Sequence, residues 1–405
     1  MTLHDIYKKF PRSFPLPMLL DGATGTSLMR DGMPRGCCTE KWVLENPSAL
    51  ENIQRSYYAA GSDAVMAPTF GGNRAALRRH GMDGDADFVN RSLISLTCGV
   101  RASFYPDKRL VAGDMSPTGR FIEPWGDASL DDIAAIYASQ AASLNDSADF
   151  FIIETSISLA EVRAAVLGVK SVSDKPVFVT MTVDERGRTM SGDTLLCCLI
   201  TLADMGVSAF GANCSTGPDK MLTSLSPLAA YARAFGIPLI AKPNAGMPRE
   251  NADGTQSFEM TAADFGLYAE KFLAGDIYIL GGCCGTTDAH IAALRTAIDA
   301  YSESAESKVN CGGDIPDISR LICTNSRVCT IDDTLEAVSV ADIDDFDEVN
   351  EDGDQLFLRL NNMDDAERLC DEMISLTRPL SVCGDAGAVK YFTRRFVGRA
   401  AVRNI

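Results

Sequence analysis

The first three hundred residues repeat one pattern eight times: a short apolar run, a Gly- or Thr-bearing turn, then a helical stretch. The runs cover residues 17–20, 63–70, 110–114, 149–155, 177–183, 207–214, 237–243 and 277–284. Each is continuously apolar rather than alternating, the mark of a strand covered on both faces. Helical patterns of fitting length lie between them, for example over 47–60, 158–167, 194–205 and 261–273. Several begin on Pro, Ser, Thr or Asp in a capping position, and one stops at Gly61. Strands alternating with helices give an α/β parallel sheet, and eight such units predict a closed (β/α)8 TIM barrel. The alternative is a doubly wound sheet, but no GxGxxG follows the first strand to support it.

A barrel places its chemistry at the carboxyl ends of its strands. Asp21 closes the first run, Glu154 the fourth, Cys214 the sixth, and Cys283 with Cys284 the eighth. Closure sets the first and eighth strands side by side, so these residues are predicted to share one mouth.

Composition limits the partners. The formal net charge of −18 argues against nucleic acid and against anionic membrane surfaces. No stretch approaches eighteen uninterrupted apolar residues, and the start lacks the apolar core of a secretory signal, so a cytoplasmic location is expected. Thirteen cysteines are then expected as reduced thiols. With three histidines in the chain, a metal site cannot rest mainly on imidazole.

The segments Gly211-Ala212-Asn213-Cys214-Ser215 and Gly281-Gly282-Cys283-Cys284-Gly285 both set thiols on glycine-lined strand ends. Three thiolates make a zinc set with one coordination position open, which is the catalytic rather than the structural pattern. Zn²⁺ with three thiolates carries a net negative charge, so it suits holding a fourth thiolate that stays nucleophilic. The plainer reading is a pair of core cysteines, since Cys37-Cys38 and Cys197-Cys198 also occur. Asp21 to Thr26 reads either as a tight capped turn or as a nest of N–H groups for a carboxylate, with Asp21 meeting an ammonium. Glu154 ends an apolar run, and a buried carboxylate without a cation is costly; an amino-acid substrate would supply one.

The stretch from about residue 17 to 298 resembles the homocysteine S-methyltransferase family, as found in the homocysteine-binding domain of cobalamin-dependent methionine synthase and in betaine–homocysteine methyltransferase. The matching pieces are LLDGATGTSL, CTEKWVLENPSALENIQRSYYAAGSDAVMAPTFGGN, FFIIET, GANCSTGP and GGCCGTTDAHIAAL, in family order. The resemblance implies Cys214, Cys283 and Cys284 as ligands of one zinc ion, and Asp21 and Glu154 at the homocysteine amino group. It also implies Gly22, Ala23 and Thr69 around the carboxylate, and Asn213 beside the metal. Thr24 stands where the family usually shows Met, and Ala67-Pro68 where it shows Thr-Asn. Cys38 matches a recurrent family cysteine and is read as structural.

After about residue 305 the pattern changes. Residues 311–405 carry ten Lys or Arg against nineteen Asp or Glu, half of the net negative charge. Asn310 to Asp314 looks like a loop, and residues 341–354 hold eight acids in fourteen positions. Two apolar runs, 355–360 and 379–383, flank a helical stretch over 363–377. A small α/β appendage is expected, too short for an independent core, packed on the barrel, on a partner or on a second copy of the chain. The piece from 364 to 405 faintly resembles part of the folate barrel of methionine synthase, implying a shortened, non-catalytic remnant.

The expected reaction is methyl transfer to homocysteine, giving methionine, with methylcobalamin on a separate corrinoid protein as the donor. S-methylmethionine and S-adenosylmethionine are alternative donors. A zinc- or thiol-binding module without turnover, and a barrel with an unrelated reaction, stand as alternatives of a different class.

Overall fold

The computed structural model describes residues 2–251, 256–304, 317–349 and 353–403. Eight parallel strands form one sheet: β1 (Met18–Leu19), β2 (Ala64–Met66), β3 (Leu110–Met115), β4 (Phe150–Ser156), β5 (Val177–Met181), β6 (Ala209–Asn213), β7 (Leu239–Lys242) and β8 (Ile277–Leu280). One principal helix follows each strand: α1 (Pro47–Ala59), α2 (Ala86–Ala102), α3 (Leu130–Leu144), α4 (Leu159–Val172), α5 (Leu195–Asp204), α6 (Pro218–Leu225), α7 (Ala262–Ala274) and α8 (Asp288–Ser304). The expected strands are all present: six are shorter than their apolar runs, which extend into the flanking loops, whereas β3 continues one residue past its run and β4 is displaced from its run by one residue.

The strands follow one another in chain order around the sheet, and β1 pairs with β8 through Met18 and Leu19 opposite Ile279 and Leu280. That order, with helices outside, is a (β/α)8 barrel. The seam between β1 and β2 differs from the other seven. It is held by single hydrogen bonds, two of them to carboxylates: Leu19 N–H donates to Asp63 Oδ2 at 2.7 Å, and Met66 N–H to Asp21 Oδ2 at 2.9 Å. Strand interiors such as Val65, Val111, Ile152, Val179, Phe210 and Ile240 are fully buried. The amino end of the barrel is plugged by the N-terminal segment, where Phe10 and Phe14 pack on Phe150 and Phe178 with ring centroids 5.6–6.4 Å apart. The carboxyl end is left as the open mouth.

The proposed boundary between residues 305 and 311, and the loop read at Asn310–Asp314, lie outside the described residues. Beyond them a hairpin, β9 (Leu321–Cys323) with β10 (Val328–Thr330), lies against α5, and Thr201 Oγ1 meets the buried Cys323 Sγ at 3.4 Å. A second parallel sheet follows, in the order β11 (Val338–Ser339), β12 (Leu356–Leu360), β13 (Leu380–Gly384) and β14 (Ala401–Val402). Helices α9 (Met363–Asp371) and α10 (Ala386–Arg395) pack on it around Phe346, Leu358, Leu369, Val382 and Phe392. Two of these strands escape sequence reading because two residues carry no period. The helix read over 363–377 stops at Asp371, and residues 372–375 continue as turns. Arg163 on α4 donates to the carbonyls of Thr393 and Arg394 at 3.1 Å, and Arg394 pairs with Asp131, so this module is seated on the barrel. Among the described residues no helix is long and apolar enough to cross a membrane.

Candidate metal and substrate site

Three backbone features bring the thiols together. Strand β6 ends at Asn213, and Cys214 and Ser215 then adopt left-handed conformations with φ of 61° and 58°, which turns the Cys214 side chain inward. Across the mouth, Cys283 N–H donates to Pro243 O at 2.8 Å, and the Cys284 carbonyl accepts from Ala245 N–H at 3.0 Å. Gly282 lets the strand end bend, since a Cβ there would sit 2.3 Å from Thr286 Oγ1. The three sulfurs lie within 4.8 Å of one another, with Cys214 Sγ 4.0 Å from Cys284 Sγ. A tetrahedral zinc with bonds of about 2.3 Å needs sulfurs about 3.8 Å apart. The donor set therefore fits a thiophilic cation with little movement. Hydrogen bonds from Cys283 and Cys284 pull the Cys214 thiol down to about 3, and the same contacts push Cys283 upward. One thiolate is thus already stabilised by its two neighbours.

Asn213 anchors the sulfur end. Its Oδ1 accepts from Thr155 N–H at 2.8 Å and from Thr180 Oγ1 at 2.9 Å, while its Nδ2 donates to Thr155 Oγ1 at 2.8 Å and reaches Cys283 Sγ at 3.9 Å. Thr155 itself has a φ of 59°, unfavourable for a β-branched residue. Three non-glycine residues in this region, Thr155, Cys214 and Ser215, are thus held in left-handed backbone beside the same mouth, where local strain usually accompanies function.

The same mouth holds a cluster of charge. Asp21, Asp114, Glu154 and Lys242 are each less than a tenth exposed, and all four line one cavity of about 300 Å³ together with the three cysteines. Lys242 pairs with Glu154. Burial works against its ammonium, but Glu154, Asp21 and Asp114 outweigh that and hold the Lys242 pKa above its ordinary value. Burial raises the Asp21 carboxyl to about 7 against the pull of Lys242. Burial and the nearby Glu154 also push Asp114 well up, and its Oδ1 has no hydrogen-bond partner. The cluster therefore has three acids for one base.

Sequence reasoning assigned the cation beside Glu154 to a substrate, whereas the chain supplies Lys242 itself. Lys242 and Asp114 both went unrecognised, although each closes an apolar run, in IPLIAK and LVAGD. The argument that singled out Glu154 applies equally to them. Gly22 and Ala23 line the cavity, and a Cβ on Gly22 would sit 2.8 Å from the Tyr57 ring. Ala23 N–H is donated to Thr286 Oγ1 at 3.1 Å. Ala23 caps the helix Thr24–Arg30 without any side-chain acceptor, so the amino end of that helix is open toward the cavity. Thr69 and Asn213 stand behind the wall rather than in it. Thr69 Oγ1 donates to Asp114 O at 2.8 Å and accepts from Asp114 N–H, fixing the end of β3. Cys38 Sγ reaches Glu40, whose other oxygen accepts from Gly71 N–H at 2.7 Å, and Glu40 borders the cavity.

Known proteins resemble the chain in both sequence and fold. The family model described as homocysteine S-methyltransferase matches residues 18–298. The methionine synthase of Mycobacterium tuberculosis is 33% identical over 305 residues, and that of Mycobacterium leprae 33% over 299, each match covering 69% of this chain. The chain aligns with only 24% of the length of these relatives. Among solved structures, the metallated homocysteine methyltransferase MmuM of Escherichia coli superposes with a TM-score of 0.58 at 23% identity, over 69% of this chain and 95% of that one. Its oxidised form gives 0.59 at 21% identity, over 73% and 99%. These superpositions show the shared barrel, and the match over residues 18–298 shows the descent: the chain belongs to the homocysteine S-methyltransferase family.

Proposed function

We propose that this chain is a zinc-dependent S-methyltransferase that transfers a methyl group to homocysteine, forming methionine. The observation that carries this reading is one cavity lined both by three converging thiols and by more buried acids than the chain's own Lys242 can pair. Cys214, Cys283 and Cys284 would hold the metal. A zinc ion bound by three thiolates keeps the acceptor sulfur deprotonated at neutral pH while leaving it nucleophilic.

The chain's own residues do the positioning. Asp21, Glu154 and Asp114 face the α-ammonium, which balances the acid excess left after Lys242 is counted. The open amino end of the helix Thr24–Arg30 offers N–H groups to the α-carboxylate. Holding both ends of the amino acid aims its sulfur at the cysteine end and turns a bimolecular collision into an oriented one. Asn213 keeps Cys283 and the strained Thr155 turn in place.

Methylcobalamin on a separate corrinoid protein is the donor this reading favours. The sequence relatives are methionine synthases, and two exposed apolar residues, Met29 on the helix Thr24–Arg30 and Phe70 in the loop after β2, line the cavity. An apolar rim of this kind suits a large donor seated over the cavity. The C-terminal module is read as a shortened remnant of a folate-binding barrel; its four parallel strands in chain order with helices between them support this.

The test is metal analysis with X-ray absorption on reduced protein, followed by turnover with methylcobalamin, S-methylmethionine and S-adenosylmethionine in turn. One zinc per chain, gaining a fourth sulfur at about 2.3 Å when homocysteine is added, is the expected result. Zinc without transfer from any donor would leave a thiol-binding module, and no zinc would remove the reading.

A further inference from the structure

A second cavity, of about 720 Å³, lies where the C-terminal module meets the barrel, away from the thiols. Its walls come from the loop after β3, from α4, and from α9 and α10 of the module. Arg163 of α4 lines it and is 4% exposed. A guanidinium buried this deeply normally faces a carboxylate. Here, among the described residues, no acid lies within ion-pair distance of it. Only its Nη2 is engaged, by the Thr393 and Arg394 carbonyls at the end of α10, and its Nε and Nη1 have no acceptor. The acids that border the same cavity, Glu123, Glu367 and Asp371, are exposed and screened by water. Arg395 lies at the rim, stacked on Tyr391 with 3.8 Å between guanidinium and ring centre and paired with the half-exposed Asp131 at 3.4 Å, which leaves Arg163 as the anchoring cation.

A buried cation with idle donors, in a cleft with room for a ligand, has the chemistry of an anion site. We propose that the cleft between barrel and module binds a small organic anion, a carboxylate or a phosphate monoester, anchored on Arg163. The ligand would sit between α4 and α10 and so fasten the module to the barrel. It would also touch the loop after β3, which carries the exposed Phe121 and Trp125. The proposal is independent of methyl transfer, because it uses no residue of the mouth.

Water filling the cleft is the rival occupant, and anion titration separates the two. The full chain would be melted in rising sodium phosphate and, separately, sodium acetate, each against sodium chloride at equal ionic strength. A saturable rise in the melting midpoint with phosphate or acetate is expected in the natural sequence, reduced in Arg163→Lys and absent in Arg163→Met. The better of the two anions identifies the head group. No saturable rise with either anion, or an equal rise in Arg163→Met, would overturn the site. Should Arg163→Met fail to fold, crystals of the natural sequence soaked in sodium bromide decide the matter: an anomalous peak beside Arg163 supports the site, and its absence rejects it.

Discussion

Two deeply buried cations, Lys242 at the barrel mouth and Arg163 under the C-terminal module, are almost equally hidden from water, at 3% and 4% exposure. Lys242 is surrounded by Glu154, Asp21 and Asp114, whereas Arg163 has backbone carbonyls and, among the described residues, no acid. At the mouth the protein has gathered three carboxyl groups around one cation, more than it holds ionised together, and under the module, among the described residues, it has built a cation with no acid to neutralise it. In a medium of low effective dielectric neither imbalance is cheap. Each points to the sign of what the site is made to receive: an ammonium at the mouth, an anion in the cleft.

The largest expected effect tests whether the mouth is a metal centre at all. Cys283→Ala should drop zinc content to background and slow methyl transfer at least ~10³-fold, while Arg163→Met keeps both near their starting values. Metal analysis and a transfer assay on the two variants decide this, and comparable losses in both would erase the distinction between the regions.

Next in size is stability. Lys242→Met strands the carboxylates around it and should cost about 3–5 kcal/mol in denaturant unfolding at pH 8. Arg163→Met leaves no charge behind and should cost about 1–2 kcal/mol, chiefly the two hydrogen bonds to the end of α10. Equal costs would mean that the acids at the mouth are balanced in some other way.

Asp114 provides a finer probe. Asp114→Asn should raise KM for homocysteine about 5–30-fold with little change in kcat, the loss of one charge-assisted contact made equally in the ground and transition states. A thiol acid lacking the amino group should show no such rise. Steady-state kinetics with both acceptors would reveal a purely structural role if the two KM values moved together.

The smallest effect is a slope with pH. Asp21 in the folded protein keeps its proton up to about 7, while an unfolded aspartate releases it near its ordinary value of about 3.9. Across that window the folded state binds more protons, so this carboxyl makes stability fall as pH rises. Zinc-loaded Asp21→Asn should lose that part of the slope in unfolding curves taken from pH 5 to 8. An unchanged slope would show that Asp21 is ionised throughout.

The barrel was legible in the sequence because strands buried on both faces leave continuous apolar runs, and 110–114 and 277–284 are as plain as 149–155. The thiols were legible because glycine on either side of Cys283 and Cys284 has no role in an ordinary strand. Lys242 and Asp114 were hidden for a different reason. A single charge closing an apolar run looks like a loop residue until the barrel brings the ends of β3, β4 and β7 to one mouth. The idle donors of Arg163 were hidden too, since its neighbours Thr393 and Arg394 lie more than two hundred residues along the chain.

The seam between β1 and β2 gives the mouth its own reporter. Asp21 holds that seam through the Met66 amide and also faces the cavity, so one carboxylate joins the mechanical closure of the barrel to whatever lies inside it. An ammonium arriving beside Asp21 would favour its ionised form, and an ionised carboxylate grips an N–H more strongly than a neutral acid does. Occupancy would then tighten the one place where the barrel lacks a backbone ladder, and slower solvent exchange of the Met66 amide proton would record it.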